Sequence, residues 1–576
     1  MSRPRATRLA VLLALLLAVS GCSTVPSSSP IIQITQAPMR PAETIGIEPT
    51  PPEAGATQVD IVRGFIDAAA STRRGHPVAR EYLAKGPAGT WSDEAGMTVI
   101  SPDYATVTTE AGSVAMTANL VGTVDQRGVF TLGVGDVLTR EFTLEQVDGE
   151  WRITDPPDGL IILEPDFERL YDERAAYFLD PTRQRVVPDP RYLITGEAQP
   201  TALVQRLLEG PSSALAAGVQ NPLSGVQLRS AVALDGQTAT VDLTALTADP
   251  APVLSEICAQ LVWTLTQAPV RIRTVEVLVD GEPVHVDGVP AEQTAEDWAA
   301  FDPDAVPVDA VGHYLSGGSL RTVTAGEPTP GPAGAGAYGL TSAAVSADPR
   351  TGELTFLAGV RADASGATLL AGNYAGDLAP VLDGGTLSAP TVASTRQEAW
   401  VIRDGTSVVR IPAGGSPQAV TTPTLPGLGR AEVLQLSPDG VRAALVVDGP
   451  GGLTLYVSTV VRAEDGSVSL RDLREVAPTL TQVRDVAWAD SGNLLVLAGD
   501  PGEDRIVPYA VGVDGWGLVS VPTAGLPSQP TSIAAAPTRQ PLVDAGDTIW
   551  QLAGGTWVTL VRGAEPLPGT APFYPL

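Results

Sequence analysis

The feature that most constrains the fold is a loose repeat over residues 310–576. Each copy has a short anchor rich in small residues, followed by an apolar run such as Arg442–Val447. The anchors recur at intervals of about 43 to 53 residues, at Val345–Pro349, Val392–Ser394, Leu436–Gly440, Ala487–Asp490 and Ile533–Pro537. This period fits one four-stranded propeller blade per copy. We therefore predict an all-β propeller over 310–576, with a sixth blade shared between the 312–323 strand and the C-terminal residues.

The first residues have the pattern of an export signal. Three arginines precede the apolar stretch Leu9–Val19, and small residues follow it directly before Cys22. The order is that of a secretory signal peptide, and the stretch is shorter than the ~20 residues of a membrane-spanning helix. Val19–Cys22 resembles the bacterial lipobox, which implies cleavage between Gly21 and Cys22 and acylation of Cys22. An ordinary secreted protein with an incidental cysteine is the alternative.

This pattern sets the expected start of the mature protein. We expect a signal peptide at 1–21 and a lipidated, flexible tether at 22–58, which is rich in Ser, Pro and Thr. The protein is then held on the extracytoplasmic face of the cell membrane by its lipid anchor. No other stretch reaches the ~18 consecutive apolar residues of a spanning helix.

The charge balance excludes several partners. The chain has 65 acidic and 36 basic residues and a formal net charge of −29. Such a chain repels phosphate backbones, so we expect no nucleic acid partner. It also disfavours adhesion to anionic lipid, which leaves attachment to the acyl chains.

Residues 59–165 predict a first α+β domain. Apolar residues from Val59 to Ala69 have helical spacing, and Thr57 with Asp60 predicts the helix cap. Alternating segments follow at 114–124, 130–137 and 142–147, and Asp148–Gly149 predicts a tight turn. A helix followed by a meander ending in FTLEQVDGEWRITDPP resembles the NTF2-like or cystatin-like fold. In such folds a cone-shaped pocket can bind small molecules; a domain used for spacing or contacts is the alternative.

Residues 166–295 predict a second α+β domain. The pattern gives a strand at Tyr177–Asp180, a helix ending at Gly210–Pro211, a hairpin turned at Asp235–Gly236, a second helix and a strand at Thr274–Val279. The pieces YFLD, LVQRLLEGP, TATVDL, ICAQLVWTLTQ and VEVLVDG together resemble the GerMN domain of sporulation and germination proteins. That resemblance implies an assembly or interaction module and not an enzyme.

The whole arrangement resembles one family. Leu436–Gly440 is similar to the turn of TolB-like propeller repeats, and the order of lipobox, tether, α+β domain, GerMN-like domain and propeller resembles the actinobacterial LpqB lipoproteins. The resemblance implies an accessory role beside the MtrA–MtrB two-component system. The implied partner is the extracytoplasmic domain of the sensor kinase MtrB, and the implied process is cell-envelope homeostasis.

The sequence indicates no catalytic, cofactor or metal site. His76, His285 and His313 lack a second His or Cys at ligand spacing, and we interpret them as surface or turn residues. Cys258 falls on the apolar stripe of a helix and predicts a buried, inert thiol. Gly334–Gly339 matches G-x-G-x-x-G inside a Pro/Gly/Ala connector and not between a strand and a helix.

Acidic clusters do not change this interpretation. Glu164, Asp166 and Glu168 are best explained as a solvated face, although a glycosidase pair is the competing hypothesis. The segment Asp500–Asp504 lacks the ligand order of a Ca²⁺ loop. Trp298 and Phe301 lie in an irregular acidic stretch and predict either a pin between the GerMN-like domain and the propeller or a partner-binding site.

We therefore predict a non-enzymatic, membrane-anchored interaction module that modulates a sensor kinase. Two alternatives remain. One is an envelope glycan-binding or glycan-processing protein that uses the propeller face. The other is a ligand-binding lipoprotein that uses the N-terminal cone or the propeller channel.

Overall fold

The first helix begins at the predicted cap. The computed structural model describes residues 49–576 except 247–250, 268–270, 308–309, 325, 501–503, 528 and 563–564. In it the Thr57 hydroxyl accepts the Asp60 N–H, and the Asp60 carboxylate accepts the Thr57 N–H at 3.0 Å. This reciprocal capping box satisfies two donors that the helix leaves open.

The N-terminal domain packs this helix on a small sheet. Its elements are α1 Gln58–Asp67, α2 Pro77–Glu81, α3 Lys85–Thr90, β1 Met97–Ile100, β2 Ala105–Thr108, β3 Val114–Val124, β4 Phe130–Leu132, β5 Val137–Phe142, β6 Leu144–Val147, β7 Glu150–Ile153 and β8 Leu160–Leu163. Strand β3 is central, and β1 pairs antiparallel with β3 and parallel with β8. The single strand predicted over 130–137 is wrong: it breaks after Leu132, where Gly135 has a φ of +69°.

The middle domain has two sheets around one long helix. Its elements are α4 Glu164–Leu170, β9 Tyr171–Leu179, β10 Val186–Ile194, α5 Gln199–Glu209, β11 Gln227–Leu228, β12 Ala233–Asp235, β13 Thr238–Thr244, α6 Ala251–Leu265, β14 Thr274–Val279, β15 Glu282–Pro283, β16 Glu292–Gln293 and the 3₁₀ turn Ala299–Phe301. Strands β13 and β14 are parallel, and α6 lies between them in the chain. Strand β10, which the sequence pattern did not predict, pairs with β9 as a separate two-stranded sheet.

In the described C-terminal residues, six sheets of three or four strands form the blades. Five are four-stranded: blade 1 is β19 Ser342–Ala347, β20 Leu354–Asp363, β21 Gly366–Asn373 and β22 Leu378–Gly384; blade 2 is β23 Thr391–Ala393, β24 Arg396–Arg403, β25 Ser407–Pro412 and β26 Gln418–Val420; blade 3 is β27 Arg430–Leu436, β28 Arg442–Gly449, β29 Gly452–Arg462 and β30 Val468–Glu475; blade 4 is β31 Thr481–Trp488, β32 Asn493–Gly499, β33 Ile506–Gly512 and β34 Val519–Ser520; blade 5 is β35 Ser532–Ala534, β36 Leu542–Ala545, β37 Thr548–Ala553 and β38 Thr556–Thr559.

The sixth sheet joins the two ends of this region. It contains β17 His313–Ser316, β18 Ser319–Thr322 and β41 Thr570–Phe573, with β17 in the middle. This is the shared blade that the sequence pattern predicts. The innermost strand of each blade is adjacent to that of the next, and β41 contacts both β35 and β19. The sheets therefore form a closed ring.

The remaining short elements lie in connections. They are α7 Gly331–Gly334, α8 Leu425–Leu428 and the hairpin strands β39 Val561–Arg562 and β40 Glu565–Pro566. Residues Pro49–Leu576 make up one compact unit. No helix among the described residues is both long and apolar enough to cross a membrane.

Candidate functional site

The two α+β domains attach to one face of the propeller. In each antiparallel blade, the turns between strands one and two and between strands three and four lie at the same end. The attachment uses such turns in neighbouring blades: Pro438–Val441 in blade 3, and Ser491 and Asp514–Trp516 in blade 4. The opposite face carries the turns between strands two and three and the blade-to-blade connections.

An aromatic cluster joins all three domains. Trp516 of blade 4 meets the Phe130 ring of the N-terminal domain edge-on at 5.1 Å between ring centroids. It meets the rings of Phe167 at 5.0 Å and Tyr192 at 5.9 Å in the same geometry. The Tyr192 hydroxyl donates to Asp514 Oδ2 at 2.9 Å. Aromatic pairs of this kind contribute ~0.5–1.5 kcal/mol beyond the buried area.

Two prolines shape the docking edge of the middle domain. In the β9–β10 pair, Pro188 lies opposite Tyr177 and Pro190 lies opposite Ala175. Because the two prolines are two residues apart, their carbonyls point to the same side of β10, and on that side neither proline has an N–H to donate. The Pro188 carbonyl accepts a bond from the guanidinium of Arg442 in the propeller. Thr459 of blade 3 likewise donates to the Ala214 carbonyl at 2.7 Å. An edge that cannot continue a sheet thus becomes a contact surface.

The other edge of β9 is covered by a helix. Side chains of α6 and of the turn after it bond its backbone: Gln267 accepts the Ala175 N–H and donates to the Ala175 carbonyl, both at 2.9 Å. Thr264 accepts the Tyr177 N–H at 3.1 Å. These polar side chains take the place of a neighbouring strand, so β9 offers no free edge for pairing.

A linker carboxylate fixes the second contact with blade 4. Asp304 Oδ1 accepts the Ser491 N–H at 2.7 Å, and the Ser491 hydroxyl donates to the Pro303 carbonyl at 3.0 Å. Burial, and then the nearby Asp490 carboxylate, raise the pKa of Asp304 to about 7. This contact is thus sensitive to ionisation near neutral pH.

The inner strands of all six blades surround a central cavity of ≈ 270 Å³. Small residues such as Ala343, Ala389 and Ala534 make much of its wall. Side chains tie neighbouring blades around it: Asp485 of blade 4 accepts the Ile533 N–H at 2.8 Å, and Asp544 of blade 5 accepts the Ala571 N–H at 2.7 Å. Burial raises the pKa of Asp485 to about 7.

Charged side chains stand in this cavity as well. Glu432 and Arg484 both line it and are exposed. Each lies four residues before the last residue of its inner strand, Leu436 or Trp488, so the two positions are equivalent in the repeat. The sequence pattern did not indicate either residue. The available signal was this shared position in the repeat, at which blades 1 and 2 carry Ala343 and Ala389.

The predicted lipidation site lies outside the described residues. This applies to Gly21 and Cys22, to the signal peptide and to most of the tether.

Within the described residues, no group of three or more His, Cys, Asp and Glu side chains is placed to hold a metal ion.

The histidine interpretation is partly wrong. His285 has an 86 % exposed side chain, as expected. His313 is fully buried, bonded to the Val311 carbonyl at 2.8 Å and the Tyr374 hydroxyl at 2.9 Å, and burial lowers its pKa to about 4. His76 sits in a turn, with a φ of 42°, but is buried and bonded to Asp93 at 2.8 Å. A lone histidine gives no sequence signal for such burial.

Other predicted positions behave as structural residues. Cys258 is buried, as predicted, and burial raises the pKa of its thiol to about 11. Asp166 pairs with Arg169 at 2.7 Å, beside Glu164 and Glu168 on the short helix α4. Gly334 packs where an added Cβ would meet the Thr329 carbonyl.

Trp298 packs into the middle domain. Its indole N–H donates to Gln293 at 3.0 Å, its ring contacts Phe301 edge-on, and its carbonyl accepts from Trp263. The linker residues that reach the propeller are Pro303 and Asp304. Trp298 and Phe301 therefore anchor this stretch in the middle domain, and Pro303 and Asp304, which the prediction did not name, connect it to the propeller.

Comparison with known proteins covers almost the whole chain. Residues 318–575 match the family model described as Lipoprotein LpqB beta-propeller domain, residues 51–168 match Lipoprotein LpqB, N-terminal domain, and residues 175–285 match Sporulation and spore germination. These matches confirm the predicted multidomain order, with a GerMN-like middle domain and a C-terminal propeller.

Among solved structures the likenesses are distant. TolB from Acinetobacter baumannii matches at 11 % identity and a TM-score of 0.29, over 61 % of this chain and 99 % of that one. The first GerMN domain of the sporulation protein GerM from Bacillus subtilis matches at 21 % identity and a TM-score of 0.18, over 22 % of this chain and 98 % of that one. Both TM-scores lie below 0.5.

Full-length relatives decide the family. Lipoprotein LpqB of Rhodococcus opacus is 31 % identical and covers 98 % of both chains. Lipoprotein LpqB of Mycolicibacterium smegmatis is 32 % identical and covers 97 % of both chains. At this identity over nearly the whole length, and with the LpqB models matching both ends of the folded unit, the chain belongs to the Lipoprotein LpqB family.

Proposed function

We propose that this envelope lipoprotein is a non-enzymatic interaction module that contacts the extracytoplasmic part of an MtrB-like sensor kinase and modulates it. The relatives from Rhodococcus opacus and Mycolicibacterium smegmatis are both named as lipoproteins, which supports an anchored role. The lipid on Cys22 would confine the protein to the membrane plane and raise its effective concentration near other envelope proteins.

The supporting structural observation is the one-sided docking of the domains. The middle domain attaches to this propeller face through Tyr192–Asp514 and Arg442–Pro188, and the linker after it attaches through Asp304–Ser491. The N-terminal domain attaches to the same face through the ring contact of Phe130 with Trp516. The opposite face remains as a broad surface on a body fixed at several points. A rigid surface binds with little ordering cost. It can bias a kinase between two states only by its difference in affinity for them.

Direct binding tests this proposal. The Pro49–Leu576 unit is titrated with the isolated MtrB extracytoplasmic domain across a salt series. Gly451→Trp places a bulky ring on the opposite face, at the β28–β29 turn, where an added Cβ meets nothing within 4 Å. Gly86→Trp, equally open but in the N-terminal domain, is the matched control.

We expect saturable binding that Gly451→Trp weakens by roughly tenfold, about 1.4 kcal/mol, and that Gly86→Trp leaves unchanged. Binding that only Gly86→Trp weakens would move the interface to the α+β side. No binding of the unit, and none of the membrane-anchored chain to the kinase in vesicles, would refute the proposal.

The anchor has its own test. Cys22→Ser should abolish lipid attachment and release the protein from the membrane fraction, as measured by intact mass and fractionation. Cys258→Ala is the control, since Cys258 is buried in the folded body. A membrane-bound, lipid-modified Cys22→Ser protein would contradict the assignment.

A further inference from the structure

Three arginines lie around one buried glutamate where blades 2 and 3 meet. Arg396 and Arg410 belong to β24 and β25 of blade 2, and Arg462 is the last residue of β29 in blade 3. Glu398 is buried and accepts hydrogen bonds from Arg410 at 3.0 Å and from Arg462. Arg396 and Glu398 are alternate residues of β24, so their side chains lie on the same face of that strand. The three arginines form what we call the arginine cluster.

The arginine cluster carries more positive charge than its neighbours neutralise. Glu398 is the one carboxylate that pairs with it in the described part of the chain, so three guanidinium groups and one carboxylate leave an excess of two positive charges. Arg396 is half-buried and, among the described residues, forms no hydrogen bond or ion pair. The Nε of Arg410 is buried and likewise lacks a partner there. Such a positive excess stands out in a chain whose net charge is −29.

Other nearby carboxylates do not balance this charge. Asp180, in the β9–β10 turn of the middle domain, uses both of its oxygens to accept backbone N–H groups of its own turn, at 2.8 to 2.9 Å. Glu464 and Asp465, in the β29–β30 turn, are exposed and form no ion pair with the cluster in the described structure. The positive excess therefore remains.

The charge on Arg396 is unfavourable in the position it occupies. Burial, and then the neighbouring Arg462, lower the pKa of Arg396 from its ordinary value. An arginine nevertheless keeps its proton in a protein, so the side chain stays charged. A half-buried guanidinium that is repelled by a second one is stabilised when an anion binds between them.

The size of the charge selects the anion. Guanidinium groups donate paired hydrogen bonds to the oxygens of carboxylates and phosphates. One carboxylate neutralises only one of the two excess charges, whereas a phosphate ester carries about −1.5 to −2 at pH 7 and has three acceptor oxygens. Donors are available, because Arg396 uses none of its N–H groups on a described residue and Arg462 uses Nη2 for Glu398.

We infer that the arginine cluster binds a doubly charged phosphate group, held by Arg396 and Arg462 and supported by Arg410. The group comes either from free phosphate or from a phosphate ester of a sugar or of a lipid headgroup. Arg396 follows the β23–β24 turn and Arg462 precedes the β29–β30 turn, which places the site on the face to which the α+β domains attach. The kinase contact is proposed for the opposite face, so failure of one proposal leaves the other standing.

Anion titration of the full chain tests the site. The chain is solubilised in a non-ionic detergent, and inorganic phosphate, glucose 1-phosphate and glycerol 3-phosphate are titrated by calorimetry at constant ionic strength. The three probes represent free phosphate, sugar phosphates and lipid headgroups, and acetate is the singly charged comparison. Arg396→Gln removes a charge that the described structure leaves unpaired. Arg350→Gln, an exposed arginine at the β19–β20 turn on the same face, is the matched control.

We expect at least one phosphate probe to bind at least tenfold more tightly than acetate, and the tightest probe identifies the source. Arg396→Gln should weaken this binding about tenfold, and Arg350→Gln should leave it unchanged. The inference fails if none of the phosphate probes binds more tightly than acetate. It also fails if the two variants weaken binding equally, or if neither weakens it.

Two further measurements separate binding from folding and fix the charge of the ligand. In phosphate-free buffer, Arg396→Gln should melt at the same temperature as the unmodified chain or higher, because it removes repulsion. A lower melting temperature would mean that Arg396 already has a stabilising partner, against the inference.

Binding should weaken as the pH falls from about 8 to about 5, since a phosphate ester gains its second proton near pH ~6 while the arginines stay charged. Burial raises the pKa of Glu398, but Arg462 and its hydrogen bond outweigh burial and hold that pKa below its ordinary value, so the glutamate stays ionised over this range. Equal binding at both pH values would contradict a doubly charged ligand.

Discussion

The hydroxyl of Tyr192 in the middle domain donates a 2.9 Å hydrogen bond to the carboxylate of Asp514 in the propeller. The two residues are far apart in the chain, and their bond lies beside the aromatic cluster of Phe130, Phe167 and Trp516. The bond therefore belongs to the contact of all three domains.

Removing the Tyr192 hydroxyl should weaken this contact. In Tyr192→Phe, Asp514 keeps the Trp516 N–H at 3.0 Å but loses its side-chain donor, which should lower the free energy of unfolding by about 1–3 kcal/mol. Chemical denaturation measures this change. Tyr104→Phe is the control, because the Tyr104 hydroxyl has no hydrogen-bond partner in the described structure. If both variants lower the free energy of unfolding equally, the Tyr192–Asp514 bond does not stabilise the contact between the domains.

The linker carboxylate Asp304 should make stability depend on pH. Its pKa is raised to about 7 from an ordinary value near 3.8, so its protonated form is favoured in the folded state. Its contribution to the free energy of unfolding is complete below pH ~4 and is lost as the pH rises through ~7.

The Asp304→Asn variant isolates this contribution. An asparagine oxygen can still accept the Ser491 N–H, so relative to the unmodified chain the variant should gain stability as the pH rises from ~4 to ~8. Melting temperatures over that range measure the difference. Asp448→Asn, at an exposed position, should show a flat difference. A flat difference for Asp304→Asn would mean that the carboxyl ionises normally.

The glycine pattern at 334–339 should act through packing. An added Cβ at Gly334 meets the Thr329 carbonyl, so Gly334→Ala should destabilise the propeller by about 1–3 kcal/mol. Gly427→Ala, where the added atom meets nothing within 4 Å, is the control and should be neutral or slightly stabilising. Thermal unfolding distinguishes them. A neutral Gly334→Ala variant would show that this connector adjusts freely.

Gln267 should be needed to hold the edge of β9. Gln267→Met keeps the length of the side chain but removes both bonds to the Ala175 backbone, leaving an N–H and a carbonyl without their partner. We expect a loss of about 1–3 kcal/mol in stability and faster hydrogen exchange at Ala175. Unchanged exchange at Ala175 would show that the neighbouring bond from the Tyr177 N–H to Thr264 holds this edge by itself.

The sequence predicted correctly the elements that are determined by side chains within a few residues of each other. The cap at Thr57, the strand Val114–Val124 and the turn at Asp148–Gly149 follow from side-chain chemistry and alternation within a few residues. Strand β10 was missed because Pro188 and Pro190 argue against a strand, and only the docked propeller explains why they are tolerated there.

The candidate site was less predictable for the same reason. The burial of His313 depends on Tyr374, which comes from another blade. Glu432 and Arg484 line one cavity because the inner strands of blades 3 and 4 lie side by side, and one copy of the repeat gives no sign that this position faces a cavity. The repeat predicts the propeller architecture, but it does not predict which side chains line the channel.

Ring closure through β17 and β41 has a consequence for the order in which the blades can be completed. The two strands stand at opposite ends of the repeat region and pair directly, His313 with Phe573 and Leu315 with Thr570. Until β41 pairs with β17, blade 6 lacks one of its three strands and the ring stays open. Pairing between strands so far apart in the chain is intrinsically slow. An open ring leaves sheet edges unpaired, and unpaired edges are the sites at which a chain can pair with other chains.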